Sequence, residues 1–287
     1  MSIINPFNVE DHLKFRNDRY QTLDKNNKKL LGLSVIELNP TELCNRTCSF
    51  CPRHDPILYP NQNLNMSTDT AKELVRQLVG AEYKGDIHIT GYGEPLLNPD
   101  ILKVISIFSQ YFHTELITNG DRLNSKFYSH QQLKDSGLNF LIVDCYDGDE
   151  HVIETQKLLE DCEIPYRIRN HHDTGTPQLI SLFNFNNRGG LLTQETLARP
   201  CWMPFYKAFI DWNGDVGLCC NDWSRKQPSF GNINNIPINE IWMSDSFVDV
   251  RKQLEQGLRE KLSACKNCNT IGTMQGFESV KIWQEQI

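Results

Sequence analysis

An α/β fold, a partial six-unit β/α barrel resembling a TIM barrel followed by a small α+β module, is predicted by three observations on this chain. Short runs rich in β-branched residues alternate with amphipathic helical segments, the order that builds a parallel sheet. Six such strand units fit between residues 33 and 187, which suits a partial barrel better than a closed eight-unit one. Beyond residue 200 the alternation stops, and Asn213-Gly214 between two apolar runs marks a β-hairpin.

Each element has its own signal. Residues 1–32 are polar and read as an N-terminal extension, helical over Val9 to Leu23. The strands are expected at Val35 to Leu38, Asp86 to Thr90, Thr114 to Thr118, Asn139 to Asp144, Tyr166 to Asn170 and Leu179 to Phe185. Ser67 is an N-cap for a helix with Ala71, Leu74, Val75, Leu78 and Val79 on one face. Asn98-Pro99 opens a second helix carrying Ile101, Val104, Ile105, Phe108 and Phe112. The barrel is expected over 33–198 and the C-terminal module over 199–287. In parallel barrels, sites gather at the C-terminal strand ends, where Cys44, Gly93, Asn119 and Asp144 fall.

The composition narrows the class. With 29 basic and 36 acidic side chains the net charge is -7, and no block of Lys or Arg is long enough to track a nucleic-acid backbone. No apolar run approaches a membrane span, and the N-terminal residues lack the pattern of a signal peptide, so none is expected. Ten cysteines in such a chain read as reduced and metal-binding, which predicts a cytoplasmic protein.

Cys44, Cys48 and Cys51 form CxxxCxxC at the end of the first strand run. Three thiolates on one loop hold three corners of an iron-sulfur cube and leave the fourth iron open. His54, at CxxH spacing from Cys51, keeps a closed zinc site as the alternative. Downstream, Ile87-His-Ile-Thr-Gly91-Tyr-Gly93-Glu94-Pro95 runs from a strand into a glycine turn. A cationic amine wants backbone carbonyls and a carboxylate, and glycines let the backbone come close.

The two motifs, in this order, resemble the radical S-adenosylmethionine (SAM) superfamily. The resemblance implies a 4Fe-4S cluster on Cys44, Cys48 and Cys51 with SAM on the open iron. It places Phe50 near the adenine, and Gly91, Gly93, Glu94 and Pro95 at the methionine amino group. It also implies Asp144, with Asp147 near it, at the ribose, and Asn119 in a Thr-Asn-Gly segment; as sequence alone these are equally ordinary turns.

A second constellation comprises Cys201, Cys219 or Cys220, Cys265 and Cys268, which converge if the hairpin and a later loop meet. Spacing alone leaves zinc and iron-sulfur even. The run Cys201-x12-Gly214-x4-Cys219, then Gly231-Asn232-Ile233, Glu240-Ile-Trp242 and a last CxxC, resembles the twitch domain, the short form of the SPASM extension. That resemblance implies one auxiliary 4Fe-4S cluster on four cysteines. The Gly-x4-Cys pattern favours Cys219 and leaves Cys220 buried or facing the substrate. Cys145 and Cys162 are spare; both read as core, with the alternative that Cys145 faces the barrel and donates a hydrogen atom, as in radical epimerases. Arg188, after the sixth strand, is a candidate base or anion contact or a loop anchor, and Asp222 a substrate contact. Arg167 and Arg169 share a strand face, inside the barrel or on a solvated edge, with His171 and His172 following.

The resemblance implies reductive cleavage of SAM to a 5'-deoxyadenosyl radical, which takes a hydrogen atom from a substrate C–H bond. A closed auxiliary cluster then suits electron acceptance, giving two-electron oxidation of a carbinol in a small polar metabolite such as a sugar or cyclitol. The expected partners are that substrate, SAM and an external one-electron reductant such as flavodoxin or ferredoxin. The alternatives are a peptide-modifying maturase or epimerase, against which the short N-terminal segment argues, and a non-catalytic iron-sulfur or zinc protein.

Overall fold

Strand alternation sets the character of the barrel interior. The computed structural model describes residues 2–4, 9–124, 126–171, 187–193, 197–273 and 275–286; the expected strand Leu179 to Phe185 and His172 lie outside them. The strands are Ser2–Ile4 (β1), Val35–Leu38 (β2), Asp86–Ile89 (β3), Thr114–Thr118 (β4), Phe140–Cys145 (β5), Tyr166–Asn170 (β6), Lys207–Ile210 (β7) and Val216–Gly217 (β8). They form one sheet in the order β1-β6-β5-β4-β3-β2-β7-β8, parallel except for the β7–β8 hairpin. Alternate residues such as Ile36, Leu38, Ile87, Ile89, Leu116, Val143 and Ile168 are buried in the hydrophobic core. The residues between them are polar: Glu37, His88 and Glu115 sit at paired register positions across β2, β3 and β4, as do Asp144 and Arg169 across β5 and β6.

The core is closed by helices Thr68–Gly80 (α2) and Ile101–Ser109 (α3), which bury Ala71, Leu74, Leu78, Ile101, Val104, Ile105 and Phe108. Burying each large aliphatic side chain contributes roughly 1.5–3 kcal/mol. Ser67 caps the first of these helices through its hydroxyl, which accepts from the Thr70 N–H at 3.1 Å. Two expectations shift at helix ends. Val79 is 45% exposed, because the apolar stripe turns outward in the last turn. The second helix starts at Ile101 because Asn98 is held outside it, its amide donating to the Pro40 and Met66 carbonyls.

Helix Val9–Gln21 (α1) plugs the N-terminal end of the barrel. Arg16 Nη1 donates to Glu115 Oε2 at 2.7 Å, and Arg19 grips Asp86 with two bonds of 2.6 and 2.9 Å. Burial alone would raise the Glu115 carboxyl, but His88 and Arg16 outweigh it and hold it well below the usual range.

Two features were not expected from sequence. The three-residue β1 pairs with β6, and β7 of the C-terminal module pairs in parallel with β2, so the hairpin extends the barrel's own sheet. The module is tied down elsewhere too. Gln77 donates to the Ile233 carbonyl and accepts from the Ile238 N–H, Trp242 Nε1 donates to the Leu31 carbonyl, and the Ser279 hydroxyl to that of Gly32.

Candidate active site

The loop that follows β2 carries the first three cysteines and is pinned by buried charges. Glu42 accepts from Arg53 Nη2 at 3.0 Å, from Tyr59 at 2.9 Å, from Asn39 at 2.8 Å and from Arg225 of the C-terminal module. Arg46, between Cys44 and Cys48, clamps both Asp121 and Asp147 through bonds of 2.6–3.0 Å. Cys44, Cys48 and Cys51 thereby line one cavity of about 520 Å³. Burial first, then the neighbouring Cys51 and Cys44, push the Cys48 thiol up to about 11, and burial raises Cys44 and Cys51 as well. Ionising all three together requires a positive partner, which fits a metal-cluster ligand set and not a free thiolate nucleophile. His54 is exposed, with Nδ1 3.3 Å from the Thr47 carbonyl oxygen, and is not part of the cavity lining.

Glycine shapes the turn after β3. Gly91 has φ +92, and a Cβ there would strike Asn39; a Cβ on Gly93 would strike the Thr41 and Leu43 carbonyls. The Tyr92 N–H donates to Asn39 Oδ1 at 2.7 Å and the Glu94 N–H to the Leu43 carbonyl, so the turn lies against the cysteine loop. Pro95 begins a short 3₁₀ turn capped by Glu94. The Glu94 carboxylate, 2% exposed, accepts from the Thr118 hydroxyl, the Leu96 N–H and the Asn119 N–H at 2.6–3.0 Å. Burial outweighs these bonds and pushes its carboxyl up to about 7. Asn119 also donates to Asn45 Oδ1, tying β4 to the cysteine loop.

An aromatic face completes this end of the cavity. Phe50 lies 5.4 Å from the Tyr146 ring and 6.4 Å from His171, while Tyr146 and His171 stack at 4.8 Å. Asp144 faces the same cavity and is engaged by Arg169, by His171 at 3.0 Å and by the Tyr146 hydroxyl at 3.2 Å. Burial would raise it, but Arg169 and His171 prevail and hold it well below the carboxylate range. Arg169 is thus paired inside the barrel, whereas Arg167 lies 3.3 Å from the Phe15 ring of α1.

Cys201, Cys219, Cys265 and Cys268 line a second, smaller cavity with Leu218, Leu254 and Ala264. Burial pushes the thiols of Cys201, Cys219 and Cys265 up, and the other cysteines of the set raise each further. Such a set ionises only around a cation, so these residues also fit a bound cluster. Cys220 is not in this lining. It faces the main cavity beside Glu37, whose carboxylate is paired with Lys207 at 2.6 Å. Met203, Asn221 and Thr270 line both cavities and form the partition between them.

Arg188 lines the main cavity with a left-handed backbone, φ +52, followed by Gly189 and Gly190, also at positive φ. Its guanidinium carbon lies 5.8 Å from the Trp223 ring centroid.

Two candidates are displaced by the structure. Cys145 follows Asp144 on β5, so alternation turns its sulfur away from the cavity, to 3.4 Å from the Thr155 hydroxyl of helix Asp149–Leu158. That geometry removes it as a hydrogen donor to substrate. Asp222 lies outside the main-cavity lining because its carboxylate accepts from the Lys226 and Gln227 N–H groups and closes the following turn. Cys162 is half-buried against the core, its thiol directed at the Ile164 carbonyl. Sequence reading missed Glu37, Glu42, Arg46 and Trp223. Only Glu37, a lone acid in an apolar strand run, carried a local signal.

The sequence model of the radical SAM superfamily matches residues 38–166, and that of the SPASM iron-sulfur cluster-binding domain matches residues 201–269. The chain is 30% identical over 249 residues to the S-adenosyl-L-methionine-dependent 2-deoxy-scyllo-inosamine dehydrogenase of Niallia circulans, covering 83% of this chain and 93% of that protein. It is similar to the crystal structure of BtrN in complex with AdoMet and 2-DOIA, with a TM-score of 0.69 and 28% identity over 85% of this chain and 96% of the other. It also matches selenomethionine BtrN in an open conformation, with a TM-score of 0.60 and 26% identity over 83% and 93%.

Proposed function

This chain belongs to the radical SAM superfamily and is an oxidoreductase-type enzyme with a SPASM iron-sulfur module behind its barrel, and from that premise we propose that it oxidises a carbinol of a small polar metabolite, a sugar or cyclitol, by two electrons. The observation that carries the reading is the shared wall: Met203, Asn221 and Thr270 line both the main cavity and the four-cysteine cavity. When bound, SAM and the two clusters supply a carbon radical that removes a hydrogen atom and an acceptor for the electron that follows.

The chain's own residues bind and orient. Cys44, Cys48 and Cys51 are the ligands of one cluster; Cys201, Cys219, Cys265 and Cys268 are those of the other. The Gly91–Pro95 turn and Glu94 take the methionine amine. Phe50 and its aromatic neighbours take the adenine, and Asp144 and Asn119 border the nucleoside. Arg188, expected as a base, lines the cavity and there holds the carbinol oxygen through its guanidinium fork, stabilising negative charge on it as the proton leaves. The balance is a carbinol becoming a ketone: the hydrogen atom would go to the SAM-derived carbon radical, the electron to the four-cysteine cluster, and the hydroxyl proton to solvent water at the open mouth of the main cavity. A cytoplasmic flavodoxin or ferredoxin supplies the reducing electron, and the functional units divide at residues 33–198 and 199–287.

The reading is tested with anaerobically reconstituted protein, SAM, dithionite and 2-deoxy-scyllo-inosamine among a panel of cyclitols deuterated at the carbinol carbon. One 5'-deoxyadenosine carrying deuterium is expected per ketone, and none from a variant with Cys44, Cys48 and Cys51 changed to Ala. Return of the deuterium to an unoxidised product would sink it.

A further inference from the structure

Trp223 and Thr270 line the main cavity from the C-terminal module, with side-chain donors that find no acceptor among the described residues. Trp223 is 5% exposed, and its ring is wedged against Tyr59 and Tyr92 at centroid distances of 4.9 and 4.5 Å. Its indole N–H is fully buried and finds no acceptor among the described residues. The hydroxyl of Thr270 is in the same condition. Thr270 cannot easily turn away, since its N–H donates to Cys268 Sγ at 3.4 Å and its carbonyl accepts from Arg259 at 2.7 Å. Folded proteins rarely leave such groups unmatched, so two that line one cavity call for a partner within it.

We infer that Trp223 and Thr270 form a donor subsite that holds oxygens of the substrate, and that they select a ring bearing neutral hydroxyls at that end. Both donors are uncharged, which suits hydroxyl or carbonyl oxygen. The Glu37 carboxylate on the same cavity disfavours an anionic group there and accepts from a hydroxyl or ammonium. The inference rests on the proposed cyclitol oxidation and adds to it the residues that read the hydroxyl pattern. Because Thr270 belongs to the partition, an oxygen held there also sets the ring against the four-cysteine cavity.

The test is anaerobic calorimetry on the holoenzyme with SAM and unreduced clusters, titrating 2-deoxy-scyllo-inosamine into wild type, Trp223→Phe and Thr270→Val. Val keeps the shape of Thr and removes only the donor, whereas Phe keeps an aromatic ring in the wedge but is smaller than indole. Iron content and melting temperature therefore check the fold, and a deoxy analogue that costs wild type but not Trp223→Phe assigns the loss to the donor. A dissociation constant raised about tenfold or more by each variant is expected, with KM rising more than kcat falls. A variant that fails to hold its iron is replaced by the complementary cycle: analogues lacking one hydroxyl, titrated into wild type and the surviving variant, where the critical deletion costs wild type alone. Unchanged affinity in both variants, with wild type binding, overturns the subsite and leaves the oxidation standing. Failure of wild type to bind any cyclitol overturns the proposed substrate class, and the subsite with it.

Discussion

Asn187 and Asn269 exchange hydrogen bonds across the two halves of the chain: the Asn187 N–H donates to Asn269 Oδ1 at 2.7 Å, and the Asn269 N–H to Asn187 Oδ1 at 3.1 Å. The Asn187 amide also donates to the Asn267 carbonyl at 2.6 Å. The staple sets the turn carrying Arg188 against the loop carrying Cys265 and Cys268. Replacing Asn269 with Ala removes an acceptor from a buried N–H, which costs about 1–3 kcal/mol. The expected result is a melting point lower by about 2–4 °C per kcal/mol and a weaker hold on the second set of iron. Thermal denaturation and iron analysis of the reconstituted variant check it; a variant matching wild type in both would show that Arg188 is placed by something else.

With Glu94 proposed at the methionine amine, SAM binding is expected to depend on pH. Glu94 Oε1 takes two hydrogen bonds and its Oε2 one, which leaves an acceptor site on Oε2 for a cationic amine. Burial raises the carboxyl to about 7 from 4.5, so between those values the folded state holds a proton that the unfolded state has lost. Stability from this group is therefore greatest below pH 4.5 and declines by roughly 3 kcal/mol as pH rises through 7. Binding of the amine favours the ionised form and runs the other way. Affinity for SAM should rise between pH 6 and 8, with proton release below pH 7, measurable by calorimetry in buffers of different ionisation enthalpy. Glu94→Gln should lose this pH dependence and most of the affinity; a Gln variant with wild-type affinity would remove the carboxylate from the SAM site.

Local signals in the sequence were read well, and long-range ones were not. The strands β2 to β6, the Ser67 cap, the CxxxCxxC loop and the last CxxC were visible because each depends on spacing within a few residues, whereas Cys201 and Cys219 were joined to that CxxC only by resemblance. The alternation that puts Asp144 in the cavity also puts Cys145 behind it, so that displacement was legible in principle. By contrast, β1 is three residues long, and the pairing of β7 with β2 joins segments some 170 residues apart with no local mark. The Glu42–Arg53–Arg225 cluster is similar: each charge reads as surface until the fold buries them together.

Cys219 and Cys220 are adjacent but serve different cavities. Cys219 shares the small cavity with Cys201, Cys265 and Cys268, while Cys220 faces the main one next to Glu37. After anaerobic reconstitution, Cys219→Ser should lose up to about four irons of an expected eight or so, and Cys220→Ser should keep them all. Iron and sulfide analysis decides between them. Loss of iron from the Cys220 variant alone would exchange the two roles.

Arg251 organises the core of the C-terminal module without a carboxylate partner among the described residues. It is fully buried, its guanidinium lies 3.9–4.2 Å from the Trp242, Phe247 and Trp283 rings, and it donates to the Pro204 and Trp242 carbonyls at 2.7 Å. Burial with no anion to offset it lowers its pKa well below the usual arginine value, so the charge is held by ring faces and two carbonyl oxygens. Arg251→Ala loses the rings' contact surface and leaves both carbonyls bare, a cost of about 3–5 kcal/mol. Lys reaches the rings but hydrates more strongly and lacks the planar fork, so it should recover less than half of that loss. Met restores volume and removes the buried charge while leaving the carbonyls bare, and should fall between Ala and wild type. Urea denaturation of the three variants gives the order, and a Lys variant as stable as wild type would mean that charge alone, and not the planar fork between the rings, holds this core.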